Sequence, residues 1–164
     1  MSKNLISVEN LKYSLGNKIK FSLKIKNFIL KKSDSFLIYG DSGSGKSTFL
    51  NLLSGTLNPQ EGVVKILEKN ISESSSGMKD KLRGDHFGIV FQTFNLLPYI
   101  TVKNNILLGK AYSNRKQLAS NNDEVKILMD KLSLNYKELI DRKAYELSIG
   151  QQQRVAVARA LIGK

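Results

Sequence analysis

The 164-residue sequence predicts an α/β fold. Two observations carry that expectation. Strand patterns crowd the first half of the chain and helix patterns the second. Between a short apolar run and the first helical stretch stands a loop of glycine and serine. With 41% apolar and 24% charged residues, the composition is that of a folded domain with one core, not of a disordered chain.

The elements follow in order. Ile19, Phe21, Leu23 and Ile25 alternate with Lys20, Ser22, Lys24 and Lys26, a period of two with one solvated face. Residues 6–13 are the expected partner strand, through a turn at Leu15-Gly16-Asn17. Phe36-Leu37-Ile38-Tyr39 and Phe87-Gly88-Ile89-Val90-Phe91 are continuous apolar runs, expected as strands buried on both faces of a parallel sheet. Val63 to Ile66 is a further strand. Ser47 to Ser54 reads as a helix, with Phe49, Leu50 and Leu53 at helical spacing and Gly55 as its stop. Ser72 to Gly77 reads as a mobile surface loop. Later, residues 101–110 look helical. Val125, Leu128, Met129 and Leu132 share one helix face, with Asn121 and Glu124 resembling a capping box. A last helix runs from Gln151 to Ile162, with Val155, Ala158 and Ile162 on one side.

Charge and residue usage exclude several classes. The chain carries 26 Lys+Arg against 14 Asp+Glu, a net charge of +12. The basic residues are mostly Lys, scattered, with no arginine-rich stretch interleaved with aromatics, so nucleic acid is not the expected partner. Much of the amino-terminal surplus belongs to the wet face of a sheet. The absence of Cys excludes disulfides and thiolate metal sites. No apolar run reaches the about 18 residues of a membrane-spanning helix. The amino terminus lacks a signal-peptide pattern, and the chain reads as cytoplasmic.

Gly40-Asp41-Ser42-Gly43-Ser44-Gly45-Lys46-Ser47 matches G-x-x-x-x-G-K-[ST] at every position. Glycines let the backbone turn tightly, so that consecutive N–H groups face phosphate oxygens. The following helix adds positive potential at its amino terminus. In this motif Lys46 reaches the β- and γ-phosphates, Ser47 ligates Mg²⁺, and Thr48 adds a donor on the α-phosphate side. The motif implies a nucleotide without saying which, or what its energy drives.

Leu147-Ser148-Ile149-Gly150-Gln151-Gln152-Gln153-Arg154 opens the last helix. With the phosphate loop about 100 residues upstream, it resembles the Leu-Ser-Gly-Gly-Gln signature of the ATP-binding-cassette (ABC) ATPases. A serine hydroxyl, a glycine and a helix amino terminus together suit an anion. The resemblance implies a P-loop NTPase fold with MgATP as ligand, in a head-to-tail dimer. There Ser148, Ile149, Gly150 and Gln151 face the γ-phosphate held by the opposite subunit. Ile149 departs from the family's glycine. Gln92 resembles the family's Q-loop glutamine, a helper of Mg²⁺ and water, and Tyr13 the aromatic that stacks on adenine. On residue type alone Gln92 reads equally as a surface residue and Tyr13 as a core tyrosine.

The phrase from Phe91 to Pro98, followed by Thr101 to Asn105, resembles lipoprotein-releasing and macrolide-export subunits. It implies a transmembrane permease docking near the Q-loop, and a place on the inner face of the membrane. The implied layout is one domain: residues 1–92 as β-rich part and core, 93–150 as helical subdomain, 151–164 as signature helix. In the family a Walker B Asp, a catalytic Glu and a switch His follow. No residue here matches them, so a chain cut before Walker B is expected, with its general base absent. His86 reads as a surface loop residue. Alternatives are a module that binds ATP without turnover, and a soluble or cell-division ABC ATPase.

Overall fold

The computed structural model describes residues 4–15, 21–111 and 121–163. Ile19, Lys20 and most of the turn expected at residues 15–17 lie outside them. The chain divides into two compact units, Met1–Lys79 and Asp80–Lys164.

The first unit is an antiparallel sheet with one helix. Its strands are β1 (Asn4–Leu15), β2 (Phe21–Lys31), β3 (Glu61–Ile66) and β4 (Lys69–Asn70), in the order β2-β1-β3-β4. Ile6 and Val8 are buried, then Leu11, so the inward phase of β1 steps by three instead of two. The step is a β-bulge against β3, between the pairs Glu9–Val63 and Lys12–Glu61, where Asn10 takes φ 49°. Gly62 makes it possible: a Cβ there would lie 2.5 Å from the Asn10 carbonyl. As expected, Ser22, Lys24 and Lys26 face water, while Phe21, Leu23 and Ile25 are half-buried.

Helix α1 (Lys46–Leu53) covers the sheet with Phe49, Leu52 and Leu53, and Phe28 stacks edge-on against Phe49 at 5.4 Å. Leu52 takes the buried place expected of Leu50, which is exposed. Gly55, with φ 70°, ends the helix as its position predicts.

In the second unit, α3 (Val102–Leu107), α4 (Asn121–Lys131), α5 (Tyr136–Leu139) and α6 (Ile149–Leu161) share one core. Val102, Ile106, Met129, Val155, Ala158 and Ile162 are fully buried in it. No helix among the described residues is long and apolar enough to cross a membrane.

Three further expectations are corrected. Phe36–Tyr39 and Phe87–Phe91 are irregular, not strands; Leu37 and Tyr39 are 81% and 88% exposed. A continuous apolar run states only what a segment needs on both faces. Without ladder partners among the described residues it forms no strand. The serine-rich loop is shorter than expected, because α2 (Ser76–His86) begins inside it. His86 therefore ends a helix, half-buried, instead of lying in a loop. Beyond its expected place in a capping box, Glu124 makes two further bonds. Its carboxylate pairs with buried Lys110 at 2.5 Å and accepts the Gly163 N–H at 2.5 Å. The Asn121 side chain lies outside the described residues.

Candidate functional site

The first unit carries Tyr13 and residues 40–48; the second carries Gln92 and residues 148–151. The loop before α1 is shaped by three positive-φ glycines: Gly40 at 146°, Gly43 at 82° and Gly45 at 95°. Gly45 is the helix N-cap and has no side chain to fill the cap. A Cβ on it would stand 2.5 Å from Phe21 Cζ, so both its conformation and its packing require glycine. The first-turn N–H groups of α1 thus open onto the loop instead of being closed by a capping side chain.

Lys46 arches back across this loop. Its Nζ donates to the carbonyls of Gly40 at 2.8 Å and Asp41 at 2.6 Å, and reaches Ser44 Oγ at 3.5 Å. A cation thereby lies over a ring of backbone with the helix amino terminus beneath it, an arrangement suited to an anion. Ser47 is exposed and Thr48 half-buried, both on the first turn of α1. Asp41, Ser42, Gly43 and Ser44 are exposed around the mouth. Among the described residues no three His, Cys, Asp or Glu side chains cluster to hold a metal ion. The fit for a divalent ion is therefore the Ser47 hydroxyl beside a loop that attracts phosphate oxygens.

Tyr13 sits in β1 opposite Leu23 of β2 and is half-buried. Cross-strand partners share a sheet face. Leu23 Cδ1 lies 3.6 Å from the position of a Gly45 Cβ, so Tyr13 shares the face that carries the glycine loop.

In the second unit Gln92 is exposed on a turn closed by the Phe94 N–H donating to the Phe91 carbonyl at 3.0 Å. Phe94 and Asn95 both have positive φ, 58° and 48°. Arg159 of α6 holds this strained turn, donating to the Phe94 carbonyl at 2.5 Å and the Asn95 carbonyl at 2.6 Å. Burial pushes the Arg159 pKa below its ordinary value. Ser148 caps α6. Its Oγ accepts the Gln151 N–H at 3.3 Å, and Gln151 Oε1 accepts the Ser148 N–H at 2.9 Å. Ile149 is 75% exposed on the first turn, and a Cβ on Gly150 would stand 3.9 Å from Arg154 Nη1, an ordinary contact.

Sequence reasoning missed Arg159, Asn105 and Gln60. Asn105 has a readable signal, an asparagine at apolar spacing between Val102 and Ile106. It is fully buried, accepting the Leu97 N–H at 2.8 Å and donating to the Leu97 and Thr101 carbonyls at 3.0 and 3.2 Å. Gln60 has no signal in sequence.

A family model described as ABC transporter matches residues 23–164. The chain belongs to the ABC transporter family. Among its relatives, the ABC transporter ATP-binding protein MJ0796 of Methanocaldococcus jannaschii is 37% identical over 91% of this chain and 64% of its own. The lipoprotein-releasing system ATP-binding protein LolD of Saccharophagus degradans is 35% identical over 93% and 65%. The macrolide export ATP-binding/permease protein MacB of Campylobacter jejuni is 34% identical over 96% of this chain but 24% of its own length. A dimeric structure of MJ0796 superposes with a TM-score of 0.75 at 31% identity, over 96% of this chain and 69% of that one. The fold is therefore that of an ABC ATPase, of the lipoprotein-releasing and macrolide-export type. The chain spans about a quarter of the macrolide exporter and about two-thirds of the single-cassette relatives.

Proposed function

We propose that this chain is the MgATP-binding part of an ABC transporter's energy-coupling subunit. The observation that carries the reading is the Gly40–Ser47 loop, with Lys46 lying over it and α1 opening beneath it. An incoming triphosphate exchanges the two carbonyl acceptors of Lys46 for β- and γ-phosphate oxygens, a charge-assisted and therefore stronger pair. Gly40, Asp41, Ser42, Gly43, Ser44 and Gly45 line the phosphates with backbone, and Thr48 adds a donor. Ser47 holds Mg²⁺, which neutralises charge building on the phosphates. Tyr13 offers adenine its ring, on the sheet face shared with the loop.

Gln92 serves the magnesium and the attacking water. Ser148, Ile149, Gly150 and Gln151 meet the ATP of a second subunit, head to tail. Gly150 and Ile149 are exposed on the first turn of α6, which leaves them accessible to that approach. A permease docks beside the segment after Gln92, where Leu97, Tyr99 and Tyr145 are exposed, Tyr99 by 79%. Docked there, the chain sits on the inner face of the membrane and drives export or release.

Photolabelling tests the reading. Irradiation with 8-azido-ATP and Mg²⁺ is expected to label the peptide containing Tyr13, and excess ATP to prevent it. A label elsewhere, or one that ATP does not displace, contradicts it.

A further inference from the structure

We propose that Gln60 is a positioning residue for nucleobase recognition, fixing the end of β1 that carries Tyr13. This rests on the reading of Tyr13 as the adenine platform.

The backbone shows why such a residue is needed. β1 pairs with β2 as far as Leu15. On its other edge β3 pairs with it only as far as Lys12, opposite Glu61. The N–H and C=O of Ser14 therefore face past the start of β3. Gln60, one residue before that strand, supplies both missing partners from one side chain. Its Oε1 accepts the Ser14 N–H at 2.6 Å and the Ser14 hydroxyl at 3.0 Å. Its Nε2 donates to the Ser14 carbonyl at 3.0 Å. The Gln60 backbone N–H donates to the Lys12 carbonyl at 3.0 Å, and Lys12 pairs with Glu61 at 2.5 Å. Both neighbours of Tyr13 are thus tied to one short segment.

The chemistry is selective. A primary amide carries the same donor and acceptor as a peptide group, so it continues the ladder for one more residue. A carboxylate accepts but does not donate, and a methyl does neither. Tyr13 itself is half-buried and makes its ladder pair with Leu23. What Gln60 adds is a fixed height and angle for the Tyr13 ring. The phosphate loop owes its shape to the positive-φ glycines and to α1, not to Gln60. Loss of the clamp is therefore felt by the base and not by the phosphates.

The test compares MgATP with magnesium tripolyphosphate, which has no base, by equilibrium binding to the full chain. Gln60→Ala is expected to weaken MgATP about five- to tenfold, as for loss of a stacked base, while tripolyphosphate changes by less than about twofold. Tyr13→Ala is expected to show the same selective loss. Gln60→Glu, nearly isosteric, keeps the acceptor and loses the donor. It is expected to fall between parent and Gln60→Ala, and it carries the test should the alanine variant not fold. Equal weakening of both ligands by the Gln60 variants overturns the proposal, since it marks a purely structural role. Unchanged MgATP affinity in the Gln60 variants, with a loss in Tyr13→Ala, overturns it and leaves the Tyr13 platform standing. Unchanged MgATP affinity in Tyr13→Ala overturns the platform itself and Gln60 with it.

Discussion

Asn105 has no room for error. It is fully buried and satisfies the backbone of Leu97 in both directions, with further bonds to the carbonyls of Ile100 and Thr101. Asn105→Ala removes the partner of the Leu97 N–H and C=O and opens a hole in a buried site, while the Ile100 and Thr101 carbonyls keep the N–H groups of Ala144 and Asn105; the expected cost to the second unit is about 1–3 kcal/mol. Urea denaturation followed by circular dichroism checks it, and a loss below about 0.5 kcal/mol contradicts it. Gly45→Ala combines a forbidden φ with a collision against Phe21, so it is expected to destabilise the first unit by more than about 1 kcal/mol. Thermal melting reads that shift. At this scale the glycine turns and the helix that follows them were legible, because the motif fixes residue types at fixed spacing, whereas the strand expected before them was not found. Gln60 was not legible, because its value depends on where β3 happens to start.

Between elements, the capping of α6 invites a direct test. Ser148 and Gln151 satisfy each other's backbone N–H groups, so Ser148→Ala is expected to cost about 1 kcal/mol of helix stability. Hydrogen exchange at the first turn of α6 measures it; unchanged protection contradicts it. The same serine that the signature motif assigns to a partner's nucleotide is thus also an ordinary N-cap. Helices α3, α4 and α6 were legible because their apolar positions recur every three or four residues. α2 was hidden, since its two glycines and charged stretch leave only Leu82 and the Lys79 stem buried. The phase step in β1 was also hidden, because a bulge depends on the strand opposite. Phe36–Tyr39 and Phe87–Phe91 misled for a related reason: apolar content reports a need for neighbours, not their presence.

For the whole molecule, the account expects nucleotide to act as an adhesive between two copies. MgATP is expected to raise the sedimentation coefficient toward that of a dimer. Ile149→Gly, which removes an exposed side chain from the contact, is expected to strengthen that association or raise turnover. Equal association and turnover in parent and variant mean that Ile149 is simply accommodated.

The central claim is that residues 40–48 hold the triphosphate of ATP, and calorimetric titration with MgATP tests it most directly. The account predicts one saturable site per chain. It also predicts that Lys46→Ala, which removes a charged hydrogen bond worth about 1.5–3 kcal/mol, weakens binding about 10- to 150-fold. Equal MgATP affinity in parent and Lys46→Ala would contradict it.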